Sequence, residues 1–252
     1  MPEPDQIRCV HCGQTTDDVT ADHVFPKSWY PSTTAPEVQR WTVPSCGNCN
    51  KKLGAIENKV FNRLALCADP RKVEAAGLSA KVMRSLGIGV EGLNVQEAEH
   101  RRAQKRKIFE AIEPYRPGIS ILPGFGPHPG FGDIEQFTIR IPADLLHIVA
   151  EKIVRGCEFV LAERIVEKPF ELQIYFAHER EIPDLLVQVL THPSAKTAEV
   201  GPGFSVIRAE AQDEPGNAVY KINVWDTLVI YASILSPPDV GESQTPGSEI
   251  PV

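Results

Sequence analysis

Cys9-Val10-His11-Cys12 and Cys46-Gly47-Asn48-Cys49 frame the stretch that decides the fold. Ala21-Asp22-His23-Val24-Phe25-Pro26-Lys27 lies between them, and Asn50-Lys51-Lys52 follows at once. Each Cys-x-x-Cys pair offers two thiolates from one tight turn, and two such turns complete a tetrahedral Zn²⁺ shell. Four thiolates leave no open coordination position, so the zinc expected at Cys9, Cys12, Cys46 and Cys49 is structural. His11, inside the first pair, is the alternative ligand at hand. Chemistry then has to come from polar side chains that the metal holds in place, and Asp22, His23 and Asn50 are those residues.

Working outward, residues 19–24 read as a strand of a hairpin whose return passes through 40–44. Beyond the fourth cysteine, Leu53, Ile56, Val60, Phe61, Leu64 and Ala65 recur at helical spacing, which predicts a helix over 50–66. Asn50 and Glu57 then lie two turns apart on similar faces. Neighbours on a strand alternate, so Asp22 and His23 point to opposite faces. The Asp22 carboxylate and the Asn50 carbonyl are hard oxygen ligands suited to Mg²⁺ or Mn²⁺. His23 is free to face a water, and a neutral imidazole near pH 7 is the usual general base for activating one. Taken singly, Asp22-His23 reads equally as a turn aspartate and a surface histidine, Asn50 as a helix N-cap, and Glu57 as a solvated helix residue.

The chain as a whole sets the bounds. Its 252 residues, 42% hydrophobic and 23% charged, describe a soluble globular protein. No apolar run approaches the ~18 residues of a membrane span, and the N-terminus lacks a basic-then-apolar leader, so the expected location is the cytoplasm. Six cysteines in such a chain read as metal ligands plus two buried thiols, Cys67 and Cys157, rather than a disulfide framework. The net charge of −7 disfavours a nucleic-acid partner only on average. Residues 1–116 carry roughly +3 and the remainder roughly −10, so a phosphate-binding surface belongs in the first half, with Lys27, Lys51 and Lys52 as candidates.

Further helices are expected over 71–86 and over the charged stretch 97–112. A Pro- and Gly-rich segment, 114–134, divides the chain. Residues 1–113 then form the metal module (zinc core 9–66) with a helical extension. Residues 135–236 form a small antiparallel α+β accessory domain. Its strands are expected at 137–141, 170–176, 204–210 and 219–235, its helices at 143–166 and 182–190 on one face of the sheet, and a turn at 213–216. Residues 237–252 are expected to be disordered. The second half carries no catalytic constellation and offers a surface for self-association or a protein partner.

Cys-x-x-Cys, Asp-His-Val-x-Pro and Pro-x-Cys-x-x-Cys-Asn-x-Lys together resemble the HNH endonucleases, the zinc-knuckle branch of the ββα-metal (His-Me finger) nucleases, over residues 9–66. The resemblance implies a metal-dependent hydrolase of nucleic-acid phosphodiesters, DNA before RNA. It assigns His23 as general base, Asp22 and Asn50 as ligands of the catalytic Mg²⁺ or Mn²⁺, and the four cysteines as the structural zinc site. The family's middle Asn, which orients the histidine, falls where this chain has Trp41 and Thr42. Thr42 offers a hydroxyl or backbone carbonyl in its place, and Glu57 a supporting carboxylate. The alternative expectation is a zinc module that binds nucleic acid or a protein without cleaving.

Overall fold

Cys46 sets where the first long helix begins. In the computed structural model its thiol accepts a hydrogen bond from the Cys49 amide at 3.4 Å, an N-cap that starts α1 (Gly47–Cys67) ahead of the apolar periodicity at Asn50. The structure describes residues 7–88, 90–114, 137–176, 184–211, 214 and 216–236. Before α1, strands β1 (Val19–His23) and β2 (Thr42–Cys46) pair antiparallel, with Asp22 opposite Val43 and His23 opposite Thr42. After it come α2 (Leu78–Ser85) and α3 (Val95–Phe109). Strands β3 (Ile112–Pro114) and β4 (Phe137–Ile139) form a second antiparallel pair. Then follow α4 (Ala143–Ala162), β5 (Glu171–Tyr175), α5 (Asp184–Thr191), β6 (Lys196–Gly201), β7 (Phe204–Glu210), β8 (Ala218–Val224) and β9 (Leu228–Leu235). The last five strands make one antiparallel sheet in the order β5-β9-β8-β7-β6. The fold is therefore mixed helix and strand with antiparallel sheets, as the periodicities indicate.

The structure departs from the sequence reading in four places. The helix expected over 71–86 is split, because Gly77 adopts φ +75°, and a Cβ there would come within 2.5 Å of the Ser32 hydroxyl. The helix expected over 97–112 stops at Phe109, and Ile112 instead opens β3, which like β6 was not anticipated. And α5 covers the sheet face opposite α4: its Leu190 packs with Tyr231 against Ile207, Val219 and Val229. The lead-in 1–6, nearly all of the 114–134 segment, part of the 213–216 turn and the tail 237–252 lie outside the described residues.

One apolar core runs through both halves of the chain. Trp29 meets Trp225 with ring centroids 5.3 Å apart, and the Trp225 indole donates to the Trp29 carbonyl at 2.9 Å. Phe25 and Tyr30 pack against Phe204 with tilted rings, centroids 4.6 and 4.8 Å apart. Helix α4 crosses α1 and reaches the end of β1 at Gly156, where a Cβ would come within 2.8 Å of the Val24 side chain. Only glycine permits that approach. Among the described residues no helix is long and apolar enough to cross a membrane.

Helix α4 also carries a charge into this core. Glu158 is fully buried and accepts from Arg208 Nε at 2.9 Å, Arg208 Nη2 at 3.1 Å, Arg164 Nε at 2.7 Å and the Tyr220 hydroxyl. Burial alone would raise the Glu158 pKa, but the Arg208 and Tyr220 hydrogen bonds and the two guanidinium charges hold it below its ordinary value of 4.5. The carboxylate's contribution to stability is thus complete above the ordinary glutamate range and is lost as pH falls through the depressed folded value. Glu158→Gln leaves Arg164 without its carboxylate and Arg208 with Glu210 alone, and is expected to cost about 3–5 kcal/mol at neutral pH. Thermal melts from pH 7 into the acid range check this: the gap between wild type and variant should narrow as the pH drops.

Candidate metal centre and the polar cluster behind it

The first knuckle is built by backbone. The Cys9 amide donates to the Gln14 carbonyl at 2.9 Å, and the Gly13 amide donates back to the Cys9 carbonyl at 2.8 Å, with Gly13 at φ +71° closing the turn. The Val10 amide then donates to the Pro44 carbonyl of β2 at 3.0 Å, docking this turn beside the second knuckle at the start of α1. The Sγ atoms of Cys9, Cys12, Cys46 and Cys49 consequently all lie within 4.8 Å of one another. Four thiolates around zinc at ~2.3 Å stand about 3.8 Å apart, so this donor set fits a tetrahedral Zn²⁺ as the sequence reading expects.

The sulfurs influence one another as crowded anions do. Burial would raise the Cys9 thiol, but amides of Cys46, Cys12 and His11 outweigh it and bring the pKa down to about 6. Burial and the neighbouring sulfurs push Cys49 up, and burial also raises Cys12. A divalent cation removes that mutual repulsion and lets all four ionise. The remaining thiols behave as packing groups: Cys157 is fully buried, and Cys67 is half-buried and pushed up to about 12 by burial.

Behind the cysteines lies a buried polar cluster. Asp22 is 7% exposed, and both its oxygens have partners: Oδ2 meets His11 Nε2 at 2.9 Å, and Oδ1 meets Lys152 Nζ at 3.3 Å. Lys152, on α4, is itself buried, lies 2.6 Å from Glu57 Oε1 and donates to the His23 carbonyl. Burial would raise the Asp22 pKa, yet the His11 hydrogen bond and the Lys152 charge hold it below the ordinary value. Glu57 goes the other way: burial raises it, and Lys152 only partly offsets the shift. Asn50 Nδ2 donates to Thr20 Oγ1 at 2.9 Å, and Thr20 in turn donates to the Ser45 carbonyl at 3.0 Å. Thr20 and Asp22 share one face of β1, so Asn50 joins the hairpin on the Asp22 side.

His23 sits on the alternate face, half-buried, across from the exposed Thr42. Burial lowers its pKa, with Lys152, Lys27 and Arg40 adding to the effect and Asp22 opposing it, so the ring is neutral at pH 7. Its Nδ1 is buried and meets no hydrogen-bond partner among the described residues. Thr42 shares the strand pair and the face with His23 but makes no bond to that nitrogen. Lys27, Lys51 and Lys52 are exposed on the surface of this region.

Two contributors escaped the sequence reading. Arg40 lies close enough to His23 to bias its charge and stacks over Tyr30 at 5.0 Å. Lys152 is the larger omission. The available signal was a cation set between Val149, Ala150, Ile153 and Val154 on the apolar side of the helix, where Gly156 also lies. Comparison of this chain with known protein families, with curated proteins and with solved structures yields no match.

Two outcomes are expected. Stripping the metal with a strong chelator, or Cys46→Ser, should release the knuckles and abolish the β1–β2 and α1 amide protection in hydrogen exchange, with one Zn²⁺ per chain lost from wild type. Lys152→Met should destabilise the fold by about 3–5 kcal/mol, because Asp22 and Glu57 are left facing each other without a counter-charge. Adding Glu57→Gln to Lys152→Met should restore part of the loss in a denaturant titration.

Proposed function

We propose that the β1–β2 hairpin and α1 are the ββα-metal module of an HNH-type endonuclease, which hydrolyses nucleic-acid phosphodiesters with DNA as the preferred substrate. The observation that carries this reading is His23: an imidazole kept neutral by burial and neighbouring cations, on a hairpin whose far ends are tied by four converging thiols. A neutral imidazole with an available ring nitrogen accepts a proton from water, and the resulting hydroxide attacks phosphorus in line with the leaving oxygen. Lys27, Lys51 and Lys52 are exposed cations suited to holding the phosphates on either side of the scissile bond.

Asp22 and Asn50 are the oxygen ligands this reading assigns to Mg²⁺ or Mn²⁺. When bound, such an ion supplies positive charge to the phosphorane-like transition state and the leaving oxygen. It has to share Asp22 with His11 and Lys152, which already face both carboxylate oxygens.

That same occupancy favours a second reading, a zinc module that binds nucleic acid or a protein without cleaving. The unpartnered Nδ1 of His23, where the family's middle Asn is missing, points the same way. Nicking of supercoiled plasmid with Mg²⁺ or Mn²⁺ separates the two. The nuclease reading expects wild type to nick and His23→Ala to be slower by about 10²-fold or more. Equal cleavage by both proteins removes His23 from the chemistry, and binding with no cleavage under either metal favours the second reading.

A further inference from the structure

Away from the cysteines, a polar groove of about 740 Å³ opens between α1, α2 and α3, with Ser28 on its wall. A row of side chains lines it. Ser85 Oγ donates to Asn62 Oδ1 at 2.9 Å, Asn62 Nδ2 reaches Gln104 Oε1 at 3.5 Å, and Gln104 Nε2 meets His100 Nε2 at 2.8 Å. Asn58 and Gln96 add further amides. Each amide both donates and accepts, as the edges of nucleobases do.

The charge lining the groove is unbalanced. Lys81, Arg84 and Arg101 face one carboxylate, Glu97, which lies 3.8 Å from Arg101. Lys81 directs its ammonium at neutral carbonyls, those of Tyr30 and Ser28. Arg84 is exposed and has no carboxylate partner among the described residues; its carbonyl, not its guanidinium, is what Arg101 holds at 2.6 Å. Cations without counter-charges beside a row of amides suit an anion with hydrogen-bonding edges, and the volume is that of a small-ligand site. The groove is also close to His23 along the chain. The 3-10 turn Lys27–Trp29 follows β1 after three residues, and Lys81 pins the carbonyls on both sides of Trp29.

We propose that this groove holds an unpaired stretch of nucleic-acid strand, with phosphates on Lys81, Arg84 and Arg101 and base edges on the amides. A concave, amide-lined surface takes splayed bases, whereas reading a duplex needs an element that projects into a DNA groove. The inference rests on the nuclease reading for its choice of ligand, but its test is binding alone. A protein that binds here and cuts nothing keeps the groove and loses the nuclease.

Fluorescence anisotropy with labelled oligo-dT, oligo-rU and a duplex of equal length, at low salt and without added Mg²⁺ or Mn²⁺, decides it. Wild type should bind a single strand more tightly than the duplex, and the two oligonucleotides show which sugar is preferred. Arg84→Glu should weaken single-strand binding about 10-fold and flatten the salt dependence by about one unit of slope. Lys107→Glu, on α3 but outside the groove, should do much less. Unchanged affinity in Arg84→Glu, an equal loss in both variants, a preference for duplex, or no binding by wild type would each overturn the proposal. Melting temperatures of both variants confirm that the fold is retained.

Discussion

Four sulfurs meet at one point in this molecule, where a metal would join two turns far apart in the chain. Two come from a turn before β1, and two from the junction of β2 with α1, so the cluster ties both knuckles to the start of one helix. Closing a chain segment of this length costs entropy, and metal–thiolate bonds at such a cluster would offset it. With those ends fixed, the polar residues of β1 and the first turns of α1 are held in register, and Thr20 and Asn50 can bond across the junction.

The second half of the chain completes that unit rather than merely adjoining it. Lys152 arrives from α4 and sits among Asp22, Glu57 and the His23 carbonyl, a position no residue of the hairpin or of α1 fills. A buried ammonium is tolerable only because two carboxylates and a carbonyl surround it. Its charge then acts on both neighbours on β1: it helps to keep Asp22 ionised and His23 neutral. Helix α4 is anchored for this task from its other end, where Glu158 joins Arg208 and Tyr220 of the sheet. One helix thus links the five-stranded sheet to the polar cluster behind the cysteines.

Much of this was legible in the sequence where the determinants are local. The cysteine spacing gave the cluster, strand alternation put Asp22 and His23 on different faces, and the 3.6-residue period located α1. What stayed hidden depends on distant partners. Lys152 pairs with residues from far earlier in the chain, and nothing in its neighbourhood names them. Glu158 and Arg208 look like ordinary charges on amphipathic segments until packing brings them together. Strand β6 escaped because Lys196–Gly201 has little apolar alternation, and as an edge strand it needs little. The placement of α5 on the far face of the sheet was equally unreadable, since its apolar residues suit either side.

An ion in this cluster held by sulfur alone leaves His11 free to bond Asp22, as it does at 2.9 Å. X-ray absorption at the zinc edge of the purified protein measures that shell directly. A sulfur-only shell gives four sulfur scatterers at ~2.3 Å and no imidazole. A shell of three sulfurs and one nitrogen would contradict it, because His11 would then be a ligand and Asp22 would lose the partner that now holds its Oδ2.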